Sequence, residues 1–202
     1  MWITHIPYAA ATGRLKALYD RIKGPGGNID NIMLAHSLRP HSMEGHMALY
    51  KYVLHHSANT TPEWFLETIG VYVSQLNACA YCVEHHFAGL ARLLQDEPRA
   101  NAIRQALASG IITDVFSQQE QSALRYADAL TQSPNTSDAL KACVTAMRET
   151  GIDDGRILEI NQVVAYFNYA NRTVLGLGVT TVGDILGLSP GNSASPDDWS
   201  HG

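Results

Sequence analysis

The stretch TTPEWFLETIGVYVSQLNACAYCVEHHF, residues 60–87, decides how this chain is read. Its first half is apolar around nearly the whole circumference of a helix, so the spacing predicts a buried helix rather than a strand. Thr60 or Thr61 is placed to cap it, Pro62 fits a first turn, and Glu63 supplies first-turn charge. The second half crowds two of the chain's three cysteines, a glutamate and two histidines into residues 77–87. A second helix is predicted from 78–80 to about Leu94. Residues three and four apart on a helix share a face, so Cys79, Cys82 and His86 bring two thiols and an imidazole to one side. Both sulfurs then lie near the helix start, where free N–H groups and the helix dipole favour a thiolate. That physics makes Cys79 the more acidic of the two. A neighbouring imidazole takes a thiol proton or steadies the thiolate. A C-x-x-C pair also closes a disulfide with little strain, one sulfur reacting and the other resolving the oxidised form. The same donors suit a metal: Cys79, Cys82 and His86 with His55 or His56 would make a four-ligand zinc site, with three ligands drawn awkwardly from one helix.

Glu67 is the only charged side chain between Trp64 and Val83. A carboxylate inside an apolar helix must be paired or protonated, a property suited to a general base near neutral pH. The competing reading is a solvated residue near the helix start. Glu84 and His85 point away from the cysteine face and read as a solvated group and a surface or interface group, respectively. His55 and His56 read as histidines at a helix carboxyl end, where cations are favoured. Cys143 reads as a small core residue. Asn168, Asn171 and Arg172, polar in an otherwise apolar helix, read as structural or as lining an interface or pocket mouth.

Outward from this stretch the pattern stays helical. Leu15, Leu18, Tyr19 and Ile22 form a stripe stopped by Gly24 and Pro25; a short helix over 31–39 ends at Pro40; Met43, Met47, Tyr50, Val53 and Leu54 form the next. Helices follow over 101–109, closed by Gly110; from the Ser117/Glu120 capping box to Gln132; over 136–150, closed by Gly151; and over a long final segment from 153 to 178. No convincing strand is found. The expected fold is all-α: an N-terminal helical arm, 1–41, a helical domain, 42–188, and a flexible tail, 189–202, of disorder-like composition.

Bulk composition narrows the function classes. With 46% hydrophobic and 16% charged residues, 202 residues suffice for a real core. A net charge of −5 without a basic cluster argues against nucleic acid or an anionic membrane as partner. No apolar run approaches the roughly 20 residues of a membrane span, and the N-terminus lacks the pattern of a signal peptide. Three cysteines do not form a secreted disulfide framework. The expectation is a cytoplasmic protein using its C-x-x-C for redox chemistry or metal.

The pattern Glu67, then Cys79, Cys82 and His86 resembles the signature of the AhpD-like alkylhydroperoxidases of the carboxymuconolactone decarboxylase superfamily. VSQLNACAYCVEHH (73–86), IPYAAATGRLKALYDRI (6–22) and VVAYFNYANRTVLGLGV (163–179) are similar to its peroxidase-related group, so the resemblance covers most of the chain. It implies an AhpD-like helical bundle assembled as a trimer or hexamer. It further implies a thiol peroxidase acting on organic hydroperoxides. Cys82 would be the peroxidatic thiol, Cys79 the resolving one, and Glu67 with His86 a proton relay. No tightly bound cofactor or metal is implied, only an external thiol reductant such as a lipoyl group on a partner protein. The well-known members carry a histidine before the second cysteine. Tyr81 stands there, and a phenol of pKa about 10 is a poor proton shuttle at neutral pH. Three alternatives to the peroxidase remain: the zinc-binding structural module, a thiol–disulfide redox sensor, and a carboxymuconolactone-type decarboxylase in which both cysteines are idle.

Overall fold

The computed structural model describes residues 1–199. Among them lie nine α-helices and one short 3-10 turn, with no strand, as the periodicity requires. Buried α4, Glu63–Leu76, is the centre of the bundle. Residues on every side of it, from Phe65 to Ser74, are buried, and it packs against α5 (Ala80–Leu94), α7 (Gln118–Gln132) and α9 (Asp154–Leu177). Thr60 and Thr61 do not cap α4 with their side chains. Pro62 is the capping residue, and the Thr60 and Thr61 amides instead donate to the Glu159 carboxylate of α9, at 2.9 and 2.8 Å. The Ser117/Glu120 capping box forms in full at the start of α7. By contrast α6, Glu97–Ser109, begins before Asn101, because Asp96 accepts from the Arg99 amide and Pro98 sits in the first turn.

The N-terminal segment belongs to the same core. α1 (Gly13–Ile22) packs against α3 (Pro40–Leu54), and Leu15, Leu18, Tyr19, Ile22 and Met33, the last from α2 (Asn31–Ala35), join its apolar cluster. Pro40 opens α3 rather than only stopping α2, since its ring suits a first turn. α8, Ser137–Glu149, packs on α7 and α9.

The expected loose tail is docked over its described part. Lys51, wholly buried, donates to the Gly191 carbonyl and to Ser193 Oγ. Asn192 Nδ2 donates to Glu63 at 3.0 Å, and Trp199 is buried against Tyr50. Residues 200–202 lie outside the described residues. No helix of the described residues is long and apolar enough to cross a membrane.

α4 and α9 approach closely at Gly70. A Cβ there would run into the Phe167 ring, which is fully buried and packs edge-on against His86, with centroids 4.5 Å apart. Gly70→Ala is expected to cost roughly 1–3 kcal/mol by overpacking, outweighing the helix propensity of about 1 kcal/mol gained with alanine. Urea unfolding checks this; a net gain in stability would show that the ring can swing clear.

Candidate active site

The α4–α5 turn sets the cysteines. Ala78 adopts a left-handed conformation (φ 54°), uncommon outside glycine, and the Cys79 amide donates to Ser74 O at 2.8 Å. This turns the chain sharply into α5. Cys79 caps the helix and Cys82 lies in its first turn. Both thiols are free and buried, and their sulfurs stand 3.2 Å apart, within reach of a disulfide after a small shift.

Beneath the turn lies an amide network. Asn77 Nδ2 donates to Asn168 Oδ1 at 3.0 Å and to Asn171 Oδ1 at 2.9 Å. Asn171 Nδ2 donates to Ser74 Oγ at 3.0 Å, and Arg172 donates to Asn168 Oδ1 at 2.7 Å. The polar residues of α9 thus brace the cysteine turn.

The two thiols are electrostatically unequal. The hydrogen bond from Cys82 holds the Cys79 thiol below the usual cysteine range, against the burial that opposes its ionisation. The same bond, followed by burial, pushes Cys82 well up, with Asn171 partly offsetting the rise. The first proton therefore leaves the pair at Cys79, as the helix start implies. Access runs the other way: Cys82, and not Cys79, lines the cavity beside the pair.

That cavity has a volume of about 50 Å³ and is walled by Cys82, Glu67, His86, His46, Tyr50 and Tyr166. At roughly 10–15 Å³ per water it holds a few small molecules' worth of space. Glu67 is 1% exposed, so the solvated reading of this residue is set aside. Its Oε2 lies 2.7 Å from His86 Nδ1, which leaves Nε2 as the other proton-handling atom of His86. The sequence-predicted set of Glu67, Cys82 and His86 thus meets at one cavity, with Cys79 directly behind Cys82.

One residue at this site, weighed in the sequence only as a zinc ligand or a helix-end histidine, has a different role. His55 does end its helix, as C-cap of α3, but is fully buried there. Its Nδ1 lies 2.6 Å from Glu63 Oε1, and its Nε2 lies 3.6 Å from Glu67 Oε1. The only local signal is Glu63 eight residues on, and spacing across a loop does not reveal such a pairing. His85 also departs from its surface reading. It lines the cavity, packs tilted against Tyr81 with centroids 4.5 Å apart, and meets Asp184 at 3.1 Å. Glu84, as expected, lies on the outside, paired with Arg104. Cys143 is partly buried against the core.

Tyr81 is an anchor here. Its hydroxyl donates to Asp184 at 2.9 Å and accepts from the Ile32 amide at 3.2 Å. Burial, then the Asp184 carboxylate, push this phenol well above its usual range. His46 is buried beside Tyr166. Burial first, then the neighbouring His36 and His86, lower it to about 3. Among the described residues no group of three or more His, Cys, Asp or Glu side chains converges as a metal would need. His55 faces two carboxylates, away from any shared centre with the thiols.

No protein-family model matches the chain. The AhpD core of an uncharacterized peroxidase-related protein from Ralstonia eutropha superposes with a TM-score of 0.75 at 21% identity, over 89% of this chain and 90% of that one. The chain has the AhpD-like helical fold. A peroxidase-related protein from Silicibacter shares the AhpD-like fold with a TM-score of 0.71 at 19% identity, over 89% and 88% of the two chains. So does the debrominase Bmp8, at 0.70 and 19% over 88% and 90%. Among curated proteins, the uncharacterized YdfG of Bacillus subtilis is 26% identical over 145 residues, which are 71% of this chain and 91% of that protein.

Proposed function

We propose that the chain is a cytoplasmic thiol-dependent peroxidase that reduces organic hydroperoxides. One observation carries the reading: a buried dithiol with sulfurs 3.2 Å apart, one of them on the wall of a small cavity that also presents a Glu67–His86 pair. Cys79 ionises first and draws the Cys82 proton, so a thiolate appears at the cavity surface. The Cys82 sulfur attacks the peroxide, the O–O bond breaks, and Cys82 becomes a sulfenic acid. The departing alkoxide takes a proton held by His86 and backed by Glu67. The Cys79 thiol then attacks the sulfenic sulfur, forming the disulfide and expelling water. The sum is two thiols and a hydroperoxide giving a disulfide, an alcohol and water, with two electrons leaving the sulfur pair. An external dithiol, a lipoyl group on a partner protein, restores the pair. The working assembly is a trimer or hexamer.

A second reading has its own support. Bmp8 has this fold, and its cysteine-to-alanine variant was solved with 2,3,4-tribromopyrrole; the cavity here has two tyrosine rings, Tyr50 and Tyr166, in its wall. Reductive debromination would use the same sulfurs. Cys82 takes bromine from carbon, the carbon takes a proton, and Cys79 displaces bromide to close the disulfide.

The test is a thiol count. Fully reduced protein given one equivalent of an organic hydroperoxide is expected to lose two thiols per chain within seconds, mapped by mass spectrometry to Cys79–Cys82. Slow loss at the pace of an ordinary cysteine would overturn the peroxidase. Thiol loss with bromide release on a bromopyrrole, and none with hydroperoxide, would select the second reading.

A further inference from the structure

Glu67 is the middle of a longer array. His86 Nδ1 stands 2.7 Å from Glu67 Oε2. The other oxygen of the same carboxylate, Oε1, faces His55 Nε2 at 3.6 Å, and His55 Nδ1 stands 2.6 Å from Glu63 Oε1. Carboxylate and imidazole alternate through four residues, His86, Glu67, His55 and Glu63. The first borders the cavity; the last has a side chain 21% exposed. Three elements supply them: His55 ends α3, both glutamates lie one turn apart on α4, and His86 is on α5.

We propose that His55 and Glu63 are positioning residues that extend the Glu67–His86 relay, giving the proton withdrawn from the thiol pair a second seat and a route to the solvent edge at Glu63. The inference rests on the thiol reading of the site and adds two residues to it. His55 Nε2 has no hydrogen-bond partner although it is wholly buried, and the group it faces is the Glu67 carboxylate. A buried imidazole aimed at a carboxylate at that distance closes a hydrogen bond with a small movement whenever the proton shifts along the array. Glu63 is engaged from the far side. Burial opposes its ionisation, yet the His55 and Asn192 hydrogen bonds hold its carboxyl below the usual range.

Other ionisable groups surround the array. Tyr50, edge-on to both His55 and His86, comes from α3. Tyr166 comes from α9 and His46 from α3, and both border the same cavity. Lys51 of α3 is turned to the C-terminal segment, where it meets Gly191 and Ser193, and its charge bears on Glu63. His46 is held neutral at working pH by burial, and the two phenols are pushed far up by theirs. These three groups are thereby kept out of proton exchange, while His85, which also lines the cavity, is held by Asp184.

The role is separable from packing. Cys82 thiolate formation is followed by its absorbance at 240 nm in the full chain carrying Cys79→Ser and Cys143→Ser, a readout that needs no hydroperoxide. Removing the imidazole leaves two carboxylates facing each other, and the added negative potential disfavours a thiolate. His55→Gln is expected to raise the midpoint by about half a unit or more, and Glu63→Gln, which removes a negative charge at the solvent edge, to lower it by less. Because His55 acts through Glu67, His55→Gln should add nothing in a Glu67→Gln background; a packing defect would add its effect in either background. Midpoints for His55→Gln and Glu63→Gln that coincide with the parent, or an undiminished shift without Glu67, would overturn the proposal. If His55→Gln fails to fold, Glu63→Gln with and without Glu67→Gln decides alone. Shifted midpoints in a protein that consumes no hydroperoxide would retire the peroxidase and keep the array.

Discussion

Cys82→Ser is expected to lower hydroperoxide reduction by about a thousandfold or more, because a hydroxyl is far less nucleophilic than a thiolate and cannot enter the sulfenic acid cycle. Cys79→Ser is expected to retain the first chemical step and stop there. Its product is a sulfenic acid on Cys82, trapped by a dimedone adduct in mass spectrometry. The pair of variants resolves a conflict between two physical arguments. The shared proton and the helix start make Cys79 the more acidic sulfur, whereas the cavity wall presents Cys82. Access should win, because a thiolate without a path to the peroxide cannot react, and moving one proton over 3.2 Å is a small step by comparison. A sulfenic acid on Cys79 in the Cys82→Ser protein, with turnover of the first step intact, would exchange the two roles.

A large effect is also expected on stability, from His46. Its imidazole is lowered to about 3 in the folded chain by burial and by the nearby His36 and His86, against about 6.5 unfolded. Above pH 6.5 both states are neutral there, and nothing is lost. As the pH falls, the unfolded chain takes up a proton that the folded chain refuses, so stability drops until the folded group itself titrates near pH 3. At roughly 1.4 kcal/mol per unit, the His46 contribution falls by about 2 kcal/mol between pH 7 and pH 5 and by about 4 kcal/mol near pH 3. Urea unfolding of the wild type and of His46→Leu at pH 7 and pH 5 isolates it, since other groups titrate alike in both. An equal drop in the two proteins would show that the cavity lets water solvate this imidazole as the chain does when unfolded.

Much of this molecule was legible along the chain. The bounds of α5, the Ser117 capping box and the ends of α7 and α9 follow from near-neighbour chemistry: which side chain can reach an amide three residues away, and where apolar residues recur. Thr60 and Thr61 show the limit of such reasoning. Both are good caps by type, yet their amides are taken by Glu159, 99 and 98 residues distant in sequence. The segment 189–199 shows it from the other side. Its composition is that of a loose end, but its carbonyls and side chains meet Lys51, Glu63 and Tyr50 on the body.

The candidate site divides along the same line. That Cys79 and Cys82 stand one turn apart, with His86 a further turn along the same helix, is a property of helix spacing and needed no tertiary information. Which carboxylate reaches that imidazole did, since Glu67 lies 19 residues away on another helix. So did His55: in the sequence it reads as a histidine at a helix carboxyl end, and only the packing of α3 on α4 buries it between Glu63 and Glu67. The unequal access of the thiols is likewise tertiary, because it depends on which sulfur faces the cavity. Local spacing specifies the face of a helix on which a group stands. Burial, and with it every charge–charge interaction strong enough to move a proton, is specified only when two such faces meet and water leaves between them.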